Sequence, residues 1–247
     1  MPLMNPTDRP LKRVERAKHH LDDLNDQIAR FLEADPYPIT QEPDPDRGGY
    51  LFRIHIKAVV PESIGLIFGD FVHNLRASLD NLMFELLGAP STGWVRPFPV
   101  CSQPAEFAKV EPSLRQQVSA KAFRIIESVQ PFHAADAADP RTRLRLLHDF
   151  WNEDKHRTTT PVVLANYIAS SAAYRDDTQD KTLGFEAYFG EIQDGKVIGW
   201  VAGTDADRRP LFPVHIRFHE KPIVLAESLA SFYQFVREDI FGSFERP

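Results

Sequence analysis

The sequence predicts an α+β protein: a helical body of about five helices with an antiparallel β-meander in the C-terminal half. Two patterns lead to that class. Between residues 11 and 157 apolar side chains recur mostly at three- and four-residue steps, the period of helices that bury one face. After Thr158 that period gives way to alternation in four β-branched and aromatic runs, and a helical period returns from residue 222. With 247 residues, 43% of them hydrophobic, the chain can bury a sizeable core. One domain, 1–247, is expected, with the helical body mainly in 10–157 and 222–243 and the meander mainly in 158–220.

In chain order, residues 11–33 place Val14, Ala17, Leu21, Leu24, Ile28 and Phe31 on one seam, a long packing helix. That seam suits either the central helix of the same chain or a second copy, so a homodimer through helix 11–33 is one expected assembly. His19 and His20 flank it as ordinary helix residues. DPYPITQEPDPDRGG, with four prolines and two glycines, reads as a connecting loop. YLFRIHIKAVV reads as a strand that enters the next helix through Pro61; His55 shares a face with Leu51, Arg53 and Lys57 and is expected at the surface.

The stretch 61–88 is the longest helix with a complete apolar stripe: Ile64, Phe68, Phe71, Leu75, Leu79, Leu82 and Leu86. Gly88 and the glycine and prolines after it stop that helix, and RPFPVCSQP is an extended connection. Residues 104–110 and 112–130 read as two helices, with Leu114, Val118, Ala122, Ile125, Ile126 and Val129 turned inward. Asp139 is placed to cap a helix over 140–157. TPVVLANYIAS, KTLGFEAYFGEI, KVIGWVAGT and FPVHIRFHE supply the strands. Asp194-Gly195 is expected to close a tight hairpin between the middle two, and His215, Arg217 and His219 to lie on a solvated sheet face. The final helix turns Val224, Leu225, Leu229, Phe232, Phe235 and Val236 inward.

Composition narrows the partners. A net charge of −6 exerts no global pull on nucleic acid or an anionic membrane, so RNA would need a local basic patch. No run reaches the roughly 18 apolar residues of a spanning helix, and the N-terminus lacks an apolar leader core, so a cytoplasmic protein without membrane contact is expected. The single cysteine, Cys101, has neither a CxxC partner nor an adjacent histidine and reads as structural. No cofactor is required by the sequence.

Chemistry concentrates in two helices, 62–87 and 140–157. The first sets Asp70, His73, Asn74, Asp80 and Asn81 opposite its apolar stripe, with Arg76 at the edge and no lysine. Asp, Asn and His are weaker helix formers than the Glu, Lys and Gln of an ordinary solvated face, so propensity did not select them. The second gathers Arg145, His148, Asn152, Lys155 and His156 on one side by the same helical geometry. Packed side by side, the two faces would make a composite polar site.

Three chemistries fit such a site. In metal-independent RNA cleavage, His73 and His156 would serve as base and acid and Arg76 or Lys155 as the cation, with Asn152 beside them; Asp70, Asp80, Asp149 and Glu153 would then need cationic partners. As a weaker metal reading, Asp70, His73 and Asp80 with His148 or His156 could ligate a divalent ion, although neither helix contains an HxxxH or HExxH pair. In a purely structural network, Arg76 would bridge Asp80 or Asp154 and Asn74 would cap a neighbouring loop. Asp70, Asn74, Asp80, Arg145 and His148 are the candidate binding residues if the site holds a small ligand or a partner.

GDFVHNLRASLDNL (69–82) and NEDKHR (152–157) resemble the two signatures of an uncharacterised group of bacterial proteins with G-D-x-x-H-N-L-R-x-x-L-D and D-K-H-R segments. That resemblance ties the two stretches together and implies no activity. More distantly, the pattern is similar to the HEPN superfamily of helical proteins, many of them metal-independent ribonucleases of defence and toxin systems. Catalytic members carry an arginine five or six residues before the histidine of the later helix. Here Asn152 stands four before His156.

Overall fold

The computed structural model describes residues 5–88, 97–154, 162–165, 185–187, 190–202, 214–220 and 223–246. The protein is α+β. Its elements are α1 (Asp8–Glu33), β1 (Ile39–Asp44), β2 (Gly49–Ile54), α2 (Glu62–Leu86), α3 (Pro104–Gln117), α4 (Ala120–Ser128), α5 (Thr142–Asp154), β3 (Val162–Ala165), β4 (Phe185–Ala187), β5 (Gly190–Glu191), β6 (Val197–Ala202), β7 (Val214–Glu220), β8 (Ile223–Leu225), α6 (Leu229–Gln234) and α7 (Gly242–Glu245). Where one domain was expected, the chain divides into two compact units: residues 1–25, 65–159 and 227–247 form unit 1, and residues 26–64 and 160–226 form unit 2.

Unit 1 is helical. Val14, Ala17, Leu21 and Leu24 of α1 are buried within the chain, so four of the six seam residues offered to a second copy are already covered. Asp8 in the first turn of α1 and Arg30 in its last complement the helix dipole. α2 buries Phe68, Phe71, Leu75, Leu79 and Leu82 as the spacing predicts, and Val72 and Met83 besides. It ends at Gly88, whose φ of 70° is the left-handed conformation of a helix C-terminus. The break expected near residue 111 lies instead at 118–119: α3 continues through Pro112, Val118 turns extended, and the Ser119 side chain accepts the Ala122 N–H to start α4. A proline costs a helix one hydrogen bond, whereas a competing N-cap supplies one, and here the cap sets the boundary.

The C-terminal segment departs from a plain α-helix in two ways. Ile223–Leu225, expected as its first turn, is strand β8. Phe235–Phe241 winds as a π-helix, with Phe235, Val236, Ile240 and Phe241 all buried. Residues five apart diverge by roughly 140° on an α-helix and by far less on the wider π-helix, so this winding puts both apolar pairs on one face.

Unit 2 contains two antiparallel sheets rather than one meander, ordered β1-β2-β6-β4 and β5-β3-β7-β8. The segment expected as a loop, 35–49, contains β1, which pairs with β2 from Ile39↔Ile54 to Asp44↔Gly49. Its prolines hid it: Pro43 cannot donate to a ladder, and β1 is an edge strand, where that is tolerated. KTLGFEAYFGEI is split between the sheets, with β4 pairing β6 and β5 pairing β3. Asp194-Gly195 does turn the chain, with Lys196 N–H donating to Gln193 O at 3.1 Å, but it links strands of different sheets and not a hairpin. Tyr37, Phe52, Ile54, Ile198 and Val201 form the buried core, with Ile39, Tyr50 and Ile192 against it. On β7, Ile216 and Phe218 are buried as expected. Arg217, expected on a solvated face, is buried too, and its guanidinium meets Glu191 of β5 at 2.6 Å.

Ahead of α5, the Asp139 carboxylate closes the turn instead of capping the helix itself. It accepts the backbone N–H groups of Arg141 and Ala135 and a two-point ion pair from the Arg141 guanidinium. Those bonds, the Arg141 side chain first, hold its pKa well below the usual carboxylate range. A carboxylate depressed in the folded state stabilises the fold above its unfolded pKa, about 3.9, and that contribution is lost as pH falls through the folded value. Asp139→Asn is therefore expected to flatten the loss of stability below about pH 4. Denaturation midpoints against pH check this, and identical acid limbs for variant and parent would count against it.

Candidate functional site

Within unit 1 the α2–α5 region separates into a buried part and an exposed part. The buried part centres on Arg76, which is 1% exposed although it sits on a helix among polar residues. Its Nη1 donates to Asp80 Oδ1 at 2.5 Å, one turn on, and its Nη2 donates to the Phe98 carbonyl at 3.0 Å. The same Asp80 oxygen accepts the Phe98 N–H at 2.9 Å. Arg76 and Asp80 together thus satisfy both backbone groups of one residue in the extended segment after α2. Arg76 also lies over the Trp151 ring of α5, 5.2 Å from its centroid, a cation–π contact that joins the two helices. Burial pulls the Arg76 guanidinium below its usual range, and the Asp80 charge opposes that shift.

The extended segment is held again three residues on. Gln130, fully buried, accepts the Cys101 N–H at 2.9 Å and donates to Pro99 O at 3.1 Å and Ile126 O at 2.8 Å. A buried extended strap has no ladder to satisfy its amides, so side chains from α2 and from the end of α4 do so. The apolar seal comes from Phe68 edge-on to Phe150 at 5.4 Å, and Phe150 in turn against Phe232 at 5.8 Å.

The exposed part carries most of the remaining candidates. Asp70 and His73 are exposed. Asn74, expected to cap a neighbouring loop, donates instead to the Asp70 backbone carbonyl at 2.8 Å, within its own helix. On α5, Arg145 is exposed and pairs with Asp149 at 3.5 Å; Asn152 is exposed; and His148 is half-buried, with its ring 6.1 Å from that of Trp151. Lys155 and His156 lie outside the described residues. The structure therefore joins Arg76 and Asp80 to Trp151 and Phe98.

His20 of α1 was passed over as an ordinary helix residue. It is half-buried within the field of Asp70: burial lowers its pKa, and the Asp70 charge opposes this. Gln130 and Phe98 were missed altogether, because an unsatisfied strap leaves no periodic mark in a sequence. Among the described residues no three His, Cys, Asp or Glu side chains form a group that could hold a metal ion, so Asp70, His73 and His148 do not assemble into a ligand set. No described helix is long and apolar enough to cross a membrane. Compared with protein-family models, with curated proteins and with solved structures, the chain matches none.

Proposed function

We propose that the polar face of α2 has two roles: an inner structural clamp made by Arg76 and Asp80, and an outer binding face for a small polar ligand or partner, made by Asp70, His73 and Asn74 with Arg145, His148 and Asn152 of α5. The observation that carries this reading is the burial of Arg76 with both terminal nitrogens already bonded. A guanidinium that is to stabilise a phosphorane must meet the substrate, and this one meets Phe98 and Trp151. His73, by contrast, is open to solvent on a helix whose propensities it weakens.

The second reading, a HEPN-like metal-independent ribonuclease, draws support from the partition of the chain, which leaves the helices of unit 1 as a compact body without the sheets. It assigns the cation role to Lys155, with His73 and His156 as base and acid. One set of measurements separates the two. His73→Ala is expected to change unfolding stability by no more than about 0.5 kcal/mol, the range of exposed sites. The parent is expected to leave single-stranded RNA intact. RNA cleavage that disappears in His156→Ala would overturn the binding reading in favour of the nuclease.

A further inference from the structure

We propose that Thr40, His55 and Asp194 of unit 2 form a nucleophile, base and positioning array in which the Thr40 hydroxyl is activated toward small carboxylic esters. Thr40 Oγ1 lies 3.0 Å from His55 Nε2. On the other side of the ring, His55 Nδ1 lies 3.9 Å from Asp194 Oδ1, and that same oxygen accepts the Ile56 N–H at 2.9 Å. The order is hydroxyl, imidazole, carboxylate, which is the arrangement that turns a hydroxyl into a nucleophile.

Three separate segments supply the array, and backbone hydrogen bonds fix each one. His55 N–H donates to Pro38 O at 2.9 Å, which ties the end of β2 to the approach of β1. Gly195 N–H donates to Ile54 O at 2.9 Å and Ile54 N–H to Lys196 O at 3.0 Å, which lace the Asp194 turn to β2. Gly195 makes that turn with φ at 72°, and the Arg53 guanidinium donates to its carbonyl. The backbone thus holds the three Cα positions in place, and the Ile56 N–H orients the Asp194 carboxylate.

The chemistry follows from the ring's two nitrogens. In the tautomer with its proton on Nδ1, the side that faces the Asp194 carboxylate at 3.9 Å, the ring offers the Nε2 lone pair to the Thr40 hydroxyl. As Oγ1 attacks an ester carbonyl carbon, its proton passes to Nε2. The bond from the acyl carbon to the alcohol oxygen then breaks, the alcohol leaves with that proton, and the acyl group stays on Thr40. Water, deprotonated by the same nitrogen, releases the carboxylic acid and restores the threonine. The His55 side chain is 38% exposed, so the array admits small, unhindered acyl groups and works in water. Its rate gain is then that of general-base assistance, about 10²–10⁴-fold.

The test uses the full chain with p-nitrophenyl acetate, following nitrophenolate release and locating the acetyl group by peptide mass spectrometry. Acetylation at Thr40 is expected, retained at the same position in Thr40→Ser, and lost in Thr40→Val. In His55→Ala it should fall about 100-fold or more and be partly restored by added imidazole. Asp194→Asn should slow it without moving the label from Thr40, because the carboxylate that faces Nδ1 is gone. A chain acetylated on lysines with Thr40 unlabelled would overturn the proposal, as would His55→Ala labelling Thr40 at the parent's rate.

Discussion

Arg76→Ala is expected to cost about 3 kcal/mol of unfolding stability, the range found when one partner of a buried charged pair is removed. Three losses combine. Among the described residues, the Phe98 carbonyl keeps no donor in place of the guanidinium, the Asp80 carboxylate keeps only the Phe98 N–H, and a void opens against the Trp151 ring. Asp80 is 28% exposed, so water recovers part of its solvation and keeps the cost from the top of that range. Arg76→Lys retains the charge but cannot serve Asp80 and Phe98 together, and should fall between parent and alanine. Urea denaturation with an unchanged m-value measures both variants. An alanine variant as stable as the parent would mean that the clamp does not hold the strap.

The second large effect is expected at Gly49, the first residue of β2. A Cβ there would run into the Val201 carbonyl, the Ala202 Cα and the Trp200 ring on the neighbouring strand β6. Two of these are backbone atoms in a paired ladder, Gly49↔Ala202 and Tyr50↔Val201, and cannot yield without opening it. Gly49→Ala should therefore cost about 3 kcal/mol, the upper end for overpacking, even though alanine is ordinarily the milder residue in a strand. Gly48→Ala is the matched control: nothing lies within 4 Å of its Cβ, and only its φ of 71° penalises the substitution. Equal losses in the two variants would show that conformation and not the approach of β6 governs this corner.

The site was half legible in the sequence. The run from Asp70 to Asn81 stands out because its residues are poor choices for a solvated helix, and two polar residues in it, Arg76 and Asp80, bond to Phe98. Which of those side chains is buried was not legible. Arg76 lies at the edge of the apolar stripe by helical geometry, and its burial depends on Phe98 and Trp151, separated from it by 22 and 75 residues in the chain. Thr40 and Asp194 show the same limit more sharply. One fell in an expected loop and the other in an expected hairpin turn, and only the pairing of β1 with β2 and the lacing of the Asp194 turn to Ile54 bring both to His55.

By itself the sequence determined the class, the two long helices with their buried stripes, and the β-rich stretch after α5. Those follow from local periodicity, which depends on residues a few places apart. The tertiary structure decided that the strands form two sheets, that β1 exists despite its prolines, that Ile223–Leu225 extends a sheet, and that the C-terminal helix widens to a π-helix. Each of those outcomes is set by which distant segment satisfies a backbone amide or covers an apolar face, and that is a property of the packed chain.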